Sequence, residues 1–178
     1  MSRWRPGDRR PDRASMLRVN QAGEYGATRI YAGQLAVLRR NCPEAKLIAR
    51  MAAQEQQHLD RFNALISERR VRPTALQPLW NVAGFALGAA TALMSEEAAL
   101  ACTDAVETEI DRHYSEQLSE LGDEDPELAA DIEAFQADER EHRDVARKAG
   151  AVNAVGYPLL TAAIRAGCRV AIELSKRV

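Results

Sequence analysis

Two glutamate–histidine pairs stand out: Glu55 with His58 and Glu139 with His142, each with the glutamate three residues before the histidine. A lone glutamate precedes each pair. Glu24 stands 31 residues before Glu55, and Glu107 stands 32 before Glu139. Carboxylates and imidazoles at this spacing form the ligand pattern of a carboxylate-bridged dinuclear metal site inside a four-helix bundle. Such a site commonly activates dioxygen, so the pattern points to oxidative chemistry as well as to a fold.

Six ligands of this kind need four helices to position them. Helical periodicity runs through the chain, without a convincing alternating strand pattern. The spacing predicts a helix over about 15–40, ending near Asn41-Cys42-Pro43. A second runs from Pro43, a favourable first helical position, to about Arg70, where Val71-Arg72-Pro73 breaks it. Residues 74–95 carry no charge. A third ligand-bearing helix is expected from Glu96 to Leu121-Gly122. Asp125-Pro126-Glu127 then offers an N-cap, a proline and a carboxylate in the first turn, opening a helix to Ala149-Gly150. After Gly156-Tyr157-Pro158 a last amphipathic helix runs to about Arg177. The expected organisation is a basic tail over 1–14 and one all-α domain over 15–178. Its two helix pairs are joined by a single long crossover. The halves repeat the lone glutamate and the pair but look little alike elsewhere.

Each candidate ligand falls in the apolar stripe of its helix. Glu24 shares a stripe with Leu17 and Tyr31; Glu55 and His58 with Met51 and Phe62; Glu107 with Thr103 and Ile110; Glu139 and His142 with Ile132 and Phe135. Four core-facing carboxylates are prohibitive alone, since desolvation costs several kcal/mol each and like charges repel. Two divalent cations would neutralise them. Oxygen-rich, thiol-free ligation favours iron or manganese over a closed zinc site. With 16 glutamates in 178 residues, a given histidine has roughly a 9% chance of a glutamate three positions before it. Two such pairs among three histidines, both on core faces, argue against coincidence.

Neighbouring residues have two readings each. Gln54 and Asp138 precede the glutamates of the pairs; either could accept the free N–H of a ligand histidine on the opposing helix, or could be a solvated position. His113 lies off the ligand face, at a pocket rim or on the surface. Tyr25 and Tyr114 suit packing, with a hydrogen bond to a ligand carboxylate as the alternative. Gly23 and Gly26 flank Glu24 and suit close backbone approach.

Bulk properties restrict the partners less. Net charge is −2, which gives no reason to expect nucleic acid. Between Glu96 and Glu141 there are 17 acidic residues and two basic ones, while the first 18 residues carry six arginines. Basic ends on an acidic body suit an anionic membrane surface or simple solubility. Three widely spaced cysteines fit free thiols in a reducing compartment. The N-terminus has no apolar stretch of the secretory kind, and a cytoplasmic bacterial protein is expected. The uncharged 74–95 span, interrupted by Pro78, Asn81, Gly84 and Gly88, suits a buried crossover helix or a segment lying in one membrane leaflet better than a full span.

The motifs resemble one family closely. Arg18-Val19-Asn20-Gln21-Ala22-Gly23-Glu24-Tyr25-Gly26-Ala27, Pro78-Leu79-Trp80-Asn81-Val82, Ala105-Val106-Glu107 and Ala166-Gly167-Cys168-Arg169-Val170 are similar to the demethoxyubiquinone hydroxylase family, from Leu17 onward. Gln21 departs from the histidine often found there, at a position that is not a family metal ligand. The resemblance implies a ferritin-like bundle with an added C-terminal helix. It also implies a di-iron monooxygenase of ubiquinone biosynthesis that uses O2 and hydroxylates the ring of a polyprenyl quinone. Glu24, Glu55, His58, Glu107, Glu139 and His142 would be its two-iron ligands, with Glu55 and Glu139 as bridges. It suggests NADH as electron donor, although no Gly-x-Gly-x-x-Gly fingerprint is present. It further implies peripheral attachment at the cytoplasmic face of the inner membrane, and it allows biosynthetic protein partners and a homo-oligomer. A ferritin- or rubrerythrin-like storage or peroxide-scavenging protein shares the ligands and is the alternative.

Overall fold

The computed structural model describes residues 11–40 and 42–177. Its helices are α1 (Arg13–Val37), α2 (Pro43–Glu68), α3 (Gln77–Met94), α4 (Glu96–Leu121), α5 (Pro126–Lys148) and α6 (Tyr157–Arg177), with a 3-10 turn at Ala151–Asn153. No strand occurs among the described residues. Helices α1, α2, α4 and α5 make the bundle. α3 packs along α1, and α6 packs on α4 and α1.

Local chemistry sets the helix ends. Asp12, Ser95 and Asp125 accept the backbone N–H of Ser15, Ala98 and Leu128, capping α1, α4 and α5. Cys42 Sγ does the same for α2 through Ala45. Gly122 and Gly150 leave α4 and α5 at φ 51° and 115°, where a side chain is strained. α1 and α2 end two to three residues before the expected 40 and 70, because Leu38 has turned to extended backbone and Arg69 serves as the C-cap. The expected basic tail over 1–14 lies largely outside the described residues, but Arg13 and Ala14 are already helical.

The uncharged span corrects one expectation. α3 buries only a stripe of Gly84, Gly88, Thr91 and Ala92. Its other face exposes Leu79, Val82, Phe85, Leu93 and Met94, so it is not a buried crossover. No described helix is long and apolar enough to cross a membrane. The close approach expected at Gly23 and Gly26 also lies elsewhere: a Cβ at either would meet nothing within 4 Å. It is Gly88 that touches α1, where a Cβ would stand 1.9 Å from Ile30 O, and Gly33, where it would stand 2.2 Å from Phe85 O. Gly88→Ala is therefore expected to cost about 1–3 kcal/mol in urea unfolding, despite the better helix propensity of alanine. Gly23→Ala should be neutral or stabilising in the same assay.

Two of the three apolar core clusters among the described residues form layers on either side of the candidate ligands. One contains Leu17, Phe62, Leu65, Leu128 and Ile132; the other contains Leu38, Ile48, Met51 and Leu100. On α2, Glu55 and His58 fall between Met51 of one layer and Phe62 of the other. The polar centre is thus sealed above and below by close-packed hydrocarbon, which excludes water and holds its side chains in place.

Candidate metal centre

Glu24, Glu55, His58, Glu107, Glu139 and His142 converge from α1, α2, α4 and α5, each no more than 2% exposed. His58 Nδ1 lies 3.3 Å from Glu139 Oε1 and 3.6 Å from Glu24 Oε2. His142 Nδ1 lies 3.1 Å from Glu55 Oε1 and 3.7 Å from Glu139 Oε2. Two overlapping groups result: Glu24, Glu55, His58 and Glu139, and Glu55, Glu107, Glu139 and His142. In each, one ligand atom per residue lies within 4.8 Å of the others. Glu55 and Glu139 belong to both, which is the geometry of two cation positions sharing two carboxylates.

The cluster's electrostatics call for cations. Burial, and then the charges of Glu139, Glu24 and Glu107, pushes the Glu55 carboxyl well above its ordinary range. Burial and Glu139 do the same to Glu107. Glu139 is raised as well, by burial first, with His58 opposing. Burial works against protonation of His58, but the carboxylates of Glu139 and Glu24 beside its Nδ1 prevail and raise it to about 11. Eight buried donor atoms of the six residues lack a hydrogen-bond partner: Glu24 Oε2, both oxygens of Glu55 and of Glu139, Glu107 Oε2, and Nδ1 of each histidine. Buried polar atoms are rarely left so. Eight of them in two overlapping groups, with this donor chemistry, fit a pair of metal ions.

Supporting hydrogen bonds follow the repeat. His58 Nε2 faces Asp138 Oδ2 at 3.0 Å, and His142 Nε2 faces Gln54 Oε1 at 3.1 Å. Each residue preceding one pair's glutamate thus reaches the other pair's histidine. A proton on Nε2 leaves Nδ1 as a lone pair pointing inward. The lone glutamates are tied by tyrosines in the same crossed manner. Tyr31 Oη donates to Glu107 Oε1 at 2.6 Å, and Tyr114 Oη donates to Glu24 Oε1. Each tyrosine stands seven residues after the lone glutamate of its own helix, on the same stripe. Tyr31 was visible there as a core residue; the repeat of seven was the signal that it does more.

The remaining candidates are farther out. Tyr25 is half-buried, and among the described residues its hydroxyl bonds to none of the six. His113 is buried, not superficial, and its Nε2 lies 2.8 Å from Gln117 Nε2. Burial, then Lys176 and Arg112, holds it down to about 4. Gln21 bonds Asn63 and takes no part in the centre.

A cavity of about 520 Å³ lies between α1, α3, α4 and α6. Its wall is almost wholly apolar, and Gly23, Gly26 and Gly167 widen it where a side chain would meet nothing within 4 Å. Glu109 is its charged exception. Burial opposes its ionisation, but Arg169, Arg165 and Arg112 hold it down to about 2, and the first two tie α6 to α4. Trp80 Nε1 donates to Ser175 Oγ at 3.1 Å, joining α3 to α6. A much narrower space, lined by Tyr31, Thr103 and Glu107, shares Ala27, Ile30 and Val106 with the cavity. One layer of side chains therefore separates the cavity from the metal-type cluster.

The family model described as ubiquinone biosynthesis protein COQ7 matches residues 12–175. The chain belongs to the COQ7 family. It is 52% identical to the 3-demethoxyubiquinol 3-hydroxylase of Rhodospirillum rubrum, over 97% of this chain and 82% of that protein. It is also 52% identical to the human mitochondrial NADPH-dependent 3-demethoxyubiquinone 3-hydroxylase, over 92% of this chain and 76% of that one. Identity to the mitochondrial 5-demethoxyubiquinone hydroxylase of Saccharomyces cerevisiae is 44%, over 92% and 77%. Membership of the COQ7 family agrees with the helical bundle and selects against a storage protein with the same ligand pattern.

Proposed function

We propose that this chain hydroxylates the ring of a polyprenylated demethoxyubiquinone, or its quinol, with dioxygen and an external reductant. Glu24, Glu55, His58, Glu107, Glu139 and His142 would hold two iron ions. The observation that carries this reading is the juxtaposition of eight buried donor atoms lacking partners with an apolar cavity one side-chain layer away. Bound iron would supply the activation of dioxygen. The protein's own part is positional. Glu55 and Glu139 span the two positions. Asp138 and Gln54 orient the imidazoles, and Tyr31 and Tyr114 fix the outer carboxylates. The two apolar layers keep water from the reacting centre.

The reductant belongs to the reduced nicotinamides. NADH is the sequence expectation, and the human relative is named for NADPH. The exposed apolar side chains of α3 (Leu79, Val82, Phe85) and α6 (Leu159, Val170, Leu174), with Arg165, Arg169 and Lys176, support peripheral docking on an anionic bilayer. In a bacterium that surface is the cytoplasmic face of the inner membrane, where the quinone is dissolved. The same faces suit a second copy or a biosynthetic partner.

Expression of the chain in a host lacking its own ring hydroxylase tests the reading. Lipid extracts should show demethoxyubiquinone replaced by ubiquinone; persistence of the precursor with the chain folded and membrane-bound would contradict it. Asp138→Ala, which frees the His58 ring, is expected to weaken iron binding roughly 10–100-fold in competition with a chelator while the bundle stays folded.

A further inference from the structure

Thr103 is 1% exposed, and its hydroxyl has no hydrogen-bond partner. A threonine inside a helix ordinarily bonds the carbonyl four residues earlier. Thr91 does so, donating to Leu87 O at 3.0 Å. For Thr103 that carbonyl belongs to Ala99, and Gln34 Nε2 from α1 already donates to it at 2.9 Å. Thr103 lines a narrow space with Tyr31 and Glu107, behind the cavity wall of Ala27, Ile30 and Val106.

The internal repeat isolates this position. Thr103 precedes Glu107 by four residues, and Asn20 precedes Glu24 by four. Asn20 exchanges two hydrogen bonds of 2.8 Å with Gln117. The two halves match at glutamate and tyrosine but differ here. One side is closed by a satisfied amide pair; the other keeps a buried hydroxyl without a partner.

A polyprenyl quinone is polar only at its ring. The cavity's charged residue, Glu109, is already held by three arginines, and Ser175 Oγ already accepts from Trp80 Nε1. Ring oxygens buried there without a partner would bind poorly. A neutral hydroxyl that both donates and accepts suits quinone and quinol alike.

We propose that Thr103 Oγ1 positions the substrate ring by a hydrogen bond to one of its oxygens, leaving the tail in the cavity. This rests on the function proposed above. The space beside Thr103 is narrower than a water molecule, so the ring reaches it as Ile30 and Val106 turn aside.

Thr103→Val removes the hydroxyl at nearly constant shape, and Thr103→Ser retains it. The experiment measures iron per chain, thermal unfolding of the metal-free protein, and binding of two probes by tryptophan quenching. The probes are a short-tailed demethoxyubiquinone analogue and a ring-free isoprenoid hydrocarbon. Thr103→Val should keep its iron, melt at or above the wild-type temperature, and bind the quinone at least about fivefold more weakly. Its binding of the hydrocarbon should be unchanged, and Thr103→Ser should restore quinone affinity. Unchanged quinone affinity in Thr103→Val overturns the inference, as does a lower melting temperature rescued by serine, which would make the hydroxyl a prop of the fold. A wild-type chain that binds neither probe overturns the cavity as a quinone site, and is thereby distinguished from failure of Thr103 alone.

Discussion

A Glu139→Leu chain will be more stable than the wild-type metal-free protein and will hydroxylate nothing. Glu139 is fully buried, faces Glu24, Glu55 and Glu107, and belongs to both four-residue ligand groups. In the metal-free protein its carboxyl bears a desolvation cost and like-charge repulsion, so an apolar replacement should gain about 1–4 kcal/mol in denaturant unfolding. Loss of a shared ligand should lower the hydroxylation rate at least ~1000-fold, because residues acting as one unit fail together. In the metal-free wild type the raised groups of the centre give the pH dependence one sign, and His113 and His142, held down by burial, oppose it only up to their ordinary range. Glu55, Glu107 and Glu139 have raised folded-state values, so the folded chain retains protons that the unfolded chain releases. Their contribution to stability is fully present below the ordinary carboxylate range and is lost as pH rises through the raised values. His58, raised to about 11, adds a loss of the same sign from its ordinary range upward. Iron should reverse the trend, since it binds the deprotonated ligands and releases those protons. Unfolding midpoints with and without ferrous iron from neutral to mildly alkaline pH check both signs; a metal-free midpoint rising from pH 7 to 9 would contradict them.

Gly167→Leu will fold normally and lose the quinone. Gly167 lies inside α6 and lines the cavity, and a Cβ there meets nothing within 4 Å. Leucine is the better helix former by roughly 0.5–1 kcal/mol, so the melting temperature should hold or rise. Its side chain would fill space assigned to the prenyl tail or ring. Quinone hydroxylation should fall at least ~100-fold, as expected when a substrate cannot reach its reacting geometry. Iron content should be unchanged, because the substituted wall is not the ligand layer. Near-normal turnover in this variant would place the substrate elsewhere.

Much of this was legible because it consists of residues that are present and misplaced. A carboxylate in an apolar stripe is conspicuous, so Glu24, Glu55, Glu107 and Glu139 could be found without coordinates, and the helix period supplied their bundle. Gln54 and Asp138 were visible as neighbours, but a position beside a ligand does not say where its side chain crosses. Tyr31 was hidden by its type, since tyrosine in a core stripe ordinarily packs. The cavity was illegible for the opposite reason: it is made by side chains that are missing at Gly23, Gly26 and Gly167. Glycine reads equally as close contact or as open space. Gly33 and Gly88 have the first role and Gly23 and Gly26 the second, a difference fixed by where α3 crosses α1. Thr103 shows the same limit, because its free hydroxyl depends on Gln34 arriving from another helix.

The most direct test is anaerobic reconstitution with ferrous iron, followed by oxygen, a reduced nicotinamide and a short-tailed demethoxyubiquinone analogue. Iron per chain and the mass of the quinone are measured together. Two irons per chain and a quinone heavier by one oxygen atom are the predicted result. Two irons with oxygen consumed and the quinone unchanged, in the presence of vesicles that carry it, would contradict the assignment.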